Sequence, residues 1–100
     1  MLWVISRVAA PKFAENREKG LQPHVDYLRS QKNSLVISGA TTSDDGKQFV
    51  GSLLIVNVKT RAEAQAFVDG DPFTKSGMFT SVTITRMNKG QFNPQAAEGG

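Results

Sequence analysis

Gly51-Ser52-Leu53-Leu54-Ile55-Val56-Asn57-Val58-Lys59-Thr60-Arg61-Ala62-Glu63 joins the most apolar run of this chain to a helix-start signal. In an extended backbone Leu53 and Ile55 fall on one face and Leu54, Val56 and Val58 on the other, so both faces want cover, as expected of an inner strand. Thr60 and Glu63 then form the spacing of a capping box, in which a hydroxyl and a carboxylate satisfy free amides at a helix start. A strand over Gly51–Val58 is therefore followed by a helix running to about Val68 and burying Ala64, Phe67 and Val68. Gly70 suits the C-terminal cap of that helix, and Pro72 pushes Asp71 out of the helical region. Beyond the Gly70-Asp71-Pro72-Phe73 turn, Val82 and Ile84 alternate with Thr83 and Thr85 in a last strand over about Ser81–Met87.

Upstream, Leu35–Ala40 reads as a strand and Thr41–Gln48 as a polar loop, with Asp44-Asp45-Gly46 its turn. That triplet lacks the spaced ligands and closing Glu of a calcium loop. Leu2–Val8 alternates so that Leu2, Val4, Ser6 and Val8 face one way and Trp3, Ile5 and Arg7 the other, a third strand. Between them lies a segment of helical composition from about Lys12 to Lys32, interrupted by Gly20 and Pro23. Proline removes a backbone donor and clashes one turn back, which predicts a kinked helix or a turn followed by a second helical run. Leu21, Val25 and Leu28 share one sector of that helix, with His24 at its edge.

The order β, α, β, β, α, β is the ferredoxin-like split βαβ arrangement, an α+β fold with two helices on one face of a four-stranded antiparallel sheet. The opposite face is left apolar, and a patch of that kind normally marks an interface. A homodimer packed sheet to sheet is the expectation. Residues 1–89 form the domain, and 90–100, small, polar and Gly-ended, a flexible tail.

At 100 residues and 10.9 kDa the chain has room for one domain. There is no apolar run long enough to span a bilayer, and the opening MLWVISRVAAPK is too short and polar for a signal peptide, so the expected location is cytoplasmic. No cysteine is present, and there is a single histidine. Disulfides, thiolate nucleophiles and the common zinc sites are therefore not expected, and neither is a metal or other cofactor. The formal charge is +3, and the 12 Lys and Arg residues, Arg7 among them, are scattered. They read as a solvated surface of mixed sign rather than the basic stripe of a nucleic-acid binder.

His24 is the one side chain able to pass protons near neutral pH without a shifted pKa, and a carboxylate is the usual partner fixing its tautomer. Asp71 is the candidate. Each residue also has a plainer reading: His24 as a satisfied structural side chain, and Asp71 as a helix-end device bonding its own backbone. Trp3 and Phe73 read as core or interface aromatics, though either could line a pocket.

The opening MLWVIS, Arg17, Pro23-His24, Tyr27-Leu28, Ser38-Gly39-Ala40, Gly51-Ser52, Ala64-Gln65-Ala66 leading to Asp71-Pro72-Phe73, and Gly77 together resemble the YCII-related family of small dimeric α/β-barrel proteins, over about residues 1 to 89. The resemblance implies a dimer with a pocket between helices and sheet, and a His24–Asp71 dyad oriented by Pro72. It also implies that Arg17 and Ser52 contact a small anionic or oxygen-rich substrate. Most of the family has no assigned reaction, but one branch removes HCl from a chlorinated hydroxyquinol, and the architecture is similar to that of muconolactone isomerases. Where family members commonly carry an acid after the first strand, this chain has Ala9 and Ala10, which puts the dehydrochlorinating reaction in doubt here. The leading expectation is a cofactor-free lyase or isomerase moving a proton on a small oxygenated ring or carbonyl compound. The alternative is a binding or accessory module whose His-Asp pair is structural.

Overall fold

The computed structural model describes residues 1–100. Its elements are β1 (Leu2–Ala9), α1 (Phe13–Ser30), β2 (Leu35–Thr42), β3 (Phe49–Asn57), α2 (Arg61–Gly70), α3 (Pro72–Lys75) and β4 (Phe79–Met87), with a 3-10 turn at Pro94–Ala97. The sheet is antiparallel throughout in the order β2-β3-β1-β4. This is the ferredoxin-like α+β fold that the order of elements predicts, with the short α3 added. No helix is long and apolar enough to cross a membrane.

The two central strands carry the core. Trp3 pairs with Val56 and Ile5 with Leu54, so four large side chains point to the same side. Together with Ala64, Phe67 and Val68 of α2 they form the main buried cluster, and Tyr27 and Leu28 of α1 pack against it. Each such side chain contributes about 1.5–3 kcal/mol by leaving water, so this cluster dominates stability. A second cluster, Phe13, Phe73 and Met78, lies under α3 with Leu21 and Phe79 at its edge. On the other face of β1, Leu2 and Val4 are half-buried while Ser6 and Val8 are exposed.

Several details depart from the sequence reading. α1 runs unbroken through Gly20 and Pro23, so of the two expected forms it is the single helix that is adopted and not the turn with a second helical run. A proline inside a helix costs roughly 3 kcal/mol, and here the packing of the helix face against both clusters outweighs it. Gly20 is required by close approach, because a β-carbon there would lie 3.1 Å from the Phe73 ring. Gly70 is the last residue of α2 and not its cap; Asp71 takes that place. The reason for glycine at 70 is the Tyr27 hydroxyl, 2.6 Å from where a β-carbon would stand. That hydroxyl donates to the Phe67 carbonyl at 2.7 Å and clamps α1 to the end of α2. The capping box also forms one residue out of step: Thr60 Oγ1 accepts from the Glu63 amide at 3.1 Å, but Glu63 accepts from Lys59 at 2.9 Å. The turn at 44–46 closes with Gly46 at φ +74° and Asp45 accepting from Ser43 and Lys47. The tail carries its one short turn with every residue exposed.

Gly51 pins β3 to β1. A β-carbon there would meet the Arg7 carbonyl oxygen, so no side chain fits without parting the two central strands. Gly51→Ala is expected to cost about 1 to 3 kcal/mol by overpacking. Urea denaturation with an unchanged midpoint would contradict that account.

Candidate active site

β1 delivers an arginine to the inside of the protein. The alternation that buries Trp3 and Ile5 puts Arg7 next in line on the same face, and Arg7 is 2% exposed. α1 brings Phe13, Arg17, Gly20, His24 and Leu28 along one face at spacings of three and four residues. The α2–α3 junction supplies Asp71, held extended at φ −71°, ψ 124° by the proline that follows, and Pro72 opens α3. β3 contributes Ser52.

These side chains converge on one carboxylate. Asp71 Oδ1 receives His24 Nδ1 at 2.7 Å and the Phe73 amide at 3.0 Å, while Oδ2 accepts from Arg7 Nη1 at 2.7 Å. Arg7 Nη1 also donates to Thr74 Oγ1 at 3.1 Å, and its Nε donates to Ser52 Oγ at 2.8 Å. Arg7, read from sequence as a solvated charge, is thus a buried centre of the site. The strand alternation was the available signal, since it places Arg7 with Trp3 and Ile5.

Asp71 is completely buried. Burial would push its carboxyl pKa up, but the hydrogen bonds from His24, Arg7 and the Phe73 amide, with the Arg7 charge, more than reverse this and hold it below the ordinary carboxylate range. Burial pulls the Arg7 pKa down, and the hydrogen bond and charge of Asp71 act against it. An ionised carboxylate can only accept, so Nδ1 of His24 carries a proton, and in the neutral ring Nε2 keeps its lone pair. The imidazole lies flat on Phe73, ring centroids 4.0 Å apart and planes 6° from parallel, which fixes its orientation.

His24 lines a cavity of about 160 Å³ together with Arg7, Arg17, Ser52, Leu54 and Phe73. Arg17 lies with its guanidinium 4.1 Å over the Phe49 ring, half-buried. Ser52 lines the same cavity, with its oxygen engaged by Arg7. His24, Asp71, Arg17 and Ser52 are therefore brought together, with Asp71 behind the others. Ala9 stands opposite Phe79 at the end of β1, and Ala10 donates its amide to Met78. Neither supplies an acid. No group of three or more His, Asp or Glu side chains comes together as a metal site would need.

The model of the YCII-related domain matches residues 1–88. The chain belongs to the YCII-related family. Among solved structures it is similar to 5-chloro-2-hydroxyhydroquinone dehydrochlorinase (TftG) from Burkholderia phenoliruptrix AC1100, solved in complex with 2,5-dihydroxybenzoquinone. That likeness has 33% identity and a TM-score of 0.80, and covers 90% of this chain and 96% of the other. PA3566 from Pseudomonas aeruginosa matches at a TM-score of 0.52 and 15% identity, over 90% of this chain and 93% of that one. A conserved protein from Methanosarcina mazei Go1 also matches at 0.52, with 11% identity over 87% and 92%. These two share the fold alone. No curated protein matches the sequence.

The Asp71 network has a pH signature. Because the folded pKa lies below the unfolded value of about 3.9, the stabilisation is complete above that pH and is lost as pH falls through the folded value. Denaturation at stepped pH should show stability falling below about pH 4, and Asp71→Asn should remove that part of the fall. At neutral pH the same substitution should cost about 3 to 5 kcal/mol, because Arg7 is left buried without its counter-ion. A variant with wild-type stability and acid dependence would contradict this picture.

Proposed function

We propose that this YCII-related protein is a small enzyme that moves a proton on an oxygenated ring or carbonyl compound, with His24 as the base and Asp71 as its orienting partner. The observation carrying the reading is the 2.7 Å contact between His24 Nδ1 and a buried, ionised Asp71, which leaves Nε2 free on a residue that lines the cavity. In the step, Nε2 takes a proton from a C–H or O–H group of the substrate, and the electron pair left behind moves to a substrate oxygen. The resulting imidazolium is stabilised by Asp71. Pro72 supports the arrangement by holding Asp71 extended. Arg17 and Ser52 are placed to touch the substrate; the Ser52 hydroxyl accepts from Arg7 and keeps its own hydrogen to donate.

The likeness to TftG, whose name and bound compound are a dehydrochlorinase and a dihydroxybenzoquinone, supports a quinol-type substrate and a lyase-type outcome. Loss of HCl would follow the same first step wherever the substrate carries chloride to expel. With Ala9 and Ala10 after β1, isomerisation by proton transfer alone is an equal outcome of this site. A non-catalytic reading is favoured by one feature: Asp71 also caps α3 through the Phe73 amide and pairs with Arg7, roles that serve folding by themselves.

His24 separates the two readings better than Asp71, which is tied to Arg7. Chlorinated and unchlorinated hydroxyquinols can be screened by absorbance for a turned-over substrate. On it, His24→Gln should lower turnover by roughly 10²-fold or more, with little change in the denaturation midpoint. A destabilised variant whose folded fraction is fully active would sink the catalytic reading.

The open sheet face supports a homodimeric α/β barrel. Val8, Ile37, Leu53 and Met87 are each more than a third exposed there, beside Leu2, Val4 and Ile55. A groove of about 640 Å³ continues this surface to Phe92 of the tail. Burial of the face by a second copy would remove the largest unpartnered apolar surface. Light scattering at micromolar concentration should give twice the chain mass of 10.9 kDa. A monomer mass there would rule out the barrel.

A further inference from the structure

Phe49 stands where simple alternation would not put it. Leu54 and Val56 of β3 pack with α2, and Ser52 lines the cavity beside α1, so an unbroken strand would turn Phe49 to the open side of the sheet. Instead the pairing with β2 slips by one residue: Thr41 lies opposite Gly51 and Thr42 opposite Phe49, which leaves Val50 over. An extra residue of this kind is a β-bulge, and it re-aims the side chain beyond it. The Phe49 ring accordingly meets α1. Its centre lies 6.0 Å from that of the Phe13 ring and 4.1 Å from the guanidinium carbon of Arg17.

Arg17 sits one turn beyond Phe13 on that helix and lines the same cavity as His24, whereas Phe49 does not line it. No carboxylate pairs with Arg17, because both ion pairs of the protein are made by Asp71. The hold on its guanidinium is the Phe49 ring. A cation held by a ring face keeps its charge unneutralised, so its N–H fork stays available to an anion. Holding it also lowers the cost of binding: a long side chain already in place has little rotamer freedom left to lose.

We propose that Phe49, turned onto α1 by the bulge at Val50, is a positioning residue that holds Arg17 at the cavity and so gives the site a preference for rings that carry a negative charge. The inference rests on the cavity being the substrate site and on Arg17 touching the substrate. Phe49 touches no substrate and acts through Arg17.

Benzoate and benzamide share size and shape and differ in charge, and calorimetry at neutral pH measures the binding of each. The wild type should bind benzoate about tenfold or more tighter, the scale of a hydrogen bond to a charged group. Phe49→Leu keeps apolar bulk against Phe13 and removes the ring face. It should weaken benzoate about three- to tenfold and leave benzamide as in the wild type. Phe49→Tyr keeps the face and should keep the preference. Arg17→Gln should erase it, and in that background Phe49→Leu should change nothing further. Equal binding of the two probes by the wild type overturns the proposal without any variant having to fold. So does a Phe49→Leu protein that keeps the full preference, or one that binds both probes more weakly alike, the mark of a packing role only. Binding of neither probe removes the cavity as a ring site and this inference with it. His24→Gln should keep the preference, so a failure of the catalytic reading shows in turnover and a failure of this one in the ratio of two affinities.

Discussion

The structure depends on one buried carboxylate having three donors. Asp71 joins β1 through Arg7, α1 through His24 and its own short helix through the Phe73 amide, so three chain segments far apart in sequence are fixed to a single point. An ion taken out of water costs several kcal/mol, and the cost is met only where geometry and hydrogen bonds are nearly complete. For Asp71 they are. For Arg7 they are complete but for one nitrogen, which is buried without a partner.

The two apolar clusters divide the work. The first, around Ile5, Leu54 and Val56, holds the helices on the sheet and needs nothing from the polar site. The second, Phe13, Phe73 and Met78, walls the site in, and its Phe73 ring is stacked flat on the imidazole. Excluding water strengthens every hydrogen bond within the wall and raises the cost of any left unmade. Glycines permit the close packing: Gly20 lets α1 approach Phe73, and Gly51 keeps β3 against the strand that carries Arg7. A site of this kind needs no flexible loop to form, because every polar group in it sits on or beside a regular element.

The contacts of Asp71 suit a structural role and the proposed catalytic one alike, which is why it supports both readings from sequence. Capping α3 and orienting His24 use the same oxygen, Oδ1, and the Arg7 pair uses the other. Ala9 and Ala10, at the end of β1, lie near Phe79 and Met78 at the edge of the aromatic cluster. The polar character of the cavity therefore comes from cations more than from carboxylates. That balance sets it apart from a site with two acids.

Local signals in the sequence were enough for the fold. The alternation in Leu2–Val8, the two-sided apolar run before Thr60 and the capping pair Thr60 and Glu63 each act over a few residues, and together they set the order of strands and helices. They left the course of α1 at Pro23 open, where packing against the core decides for one helix, and misjudged Gly70, where the Tyr27 hydroxyl sets the need for glycine. His24 and Asp71 were legible as candidates because each is a residue type with few bland uses in its setting, and because they matched a family pattern. The role of Arg7 was not legible. Its alternation with Trp3 and Ile5 pointed inward while its charge pointed outward, and no local rule decides between them. Only the tertiary structure does, by bringing Asp71 from 64 positions along the chain to 2.7 Å from its guanidinium. A charge can be buried only where its counter-ion is already waiting, and the place of that counter-ion is a property of the folded chain as a whole.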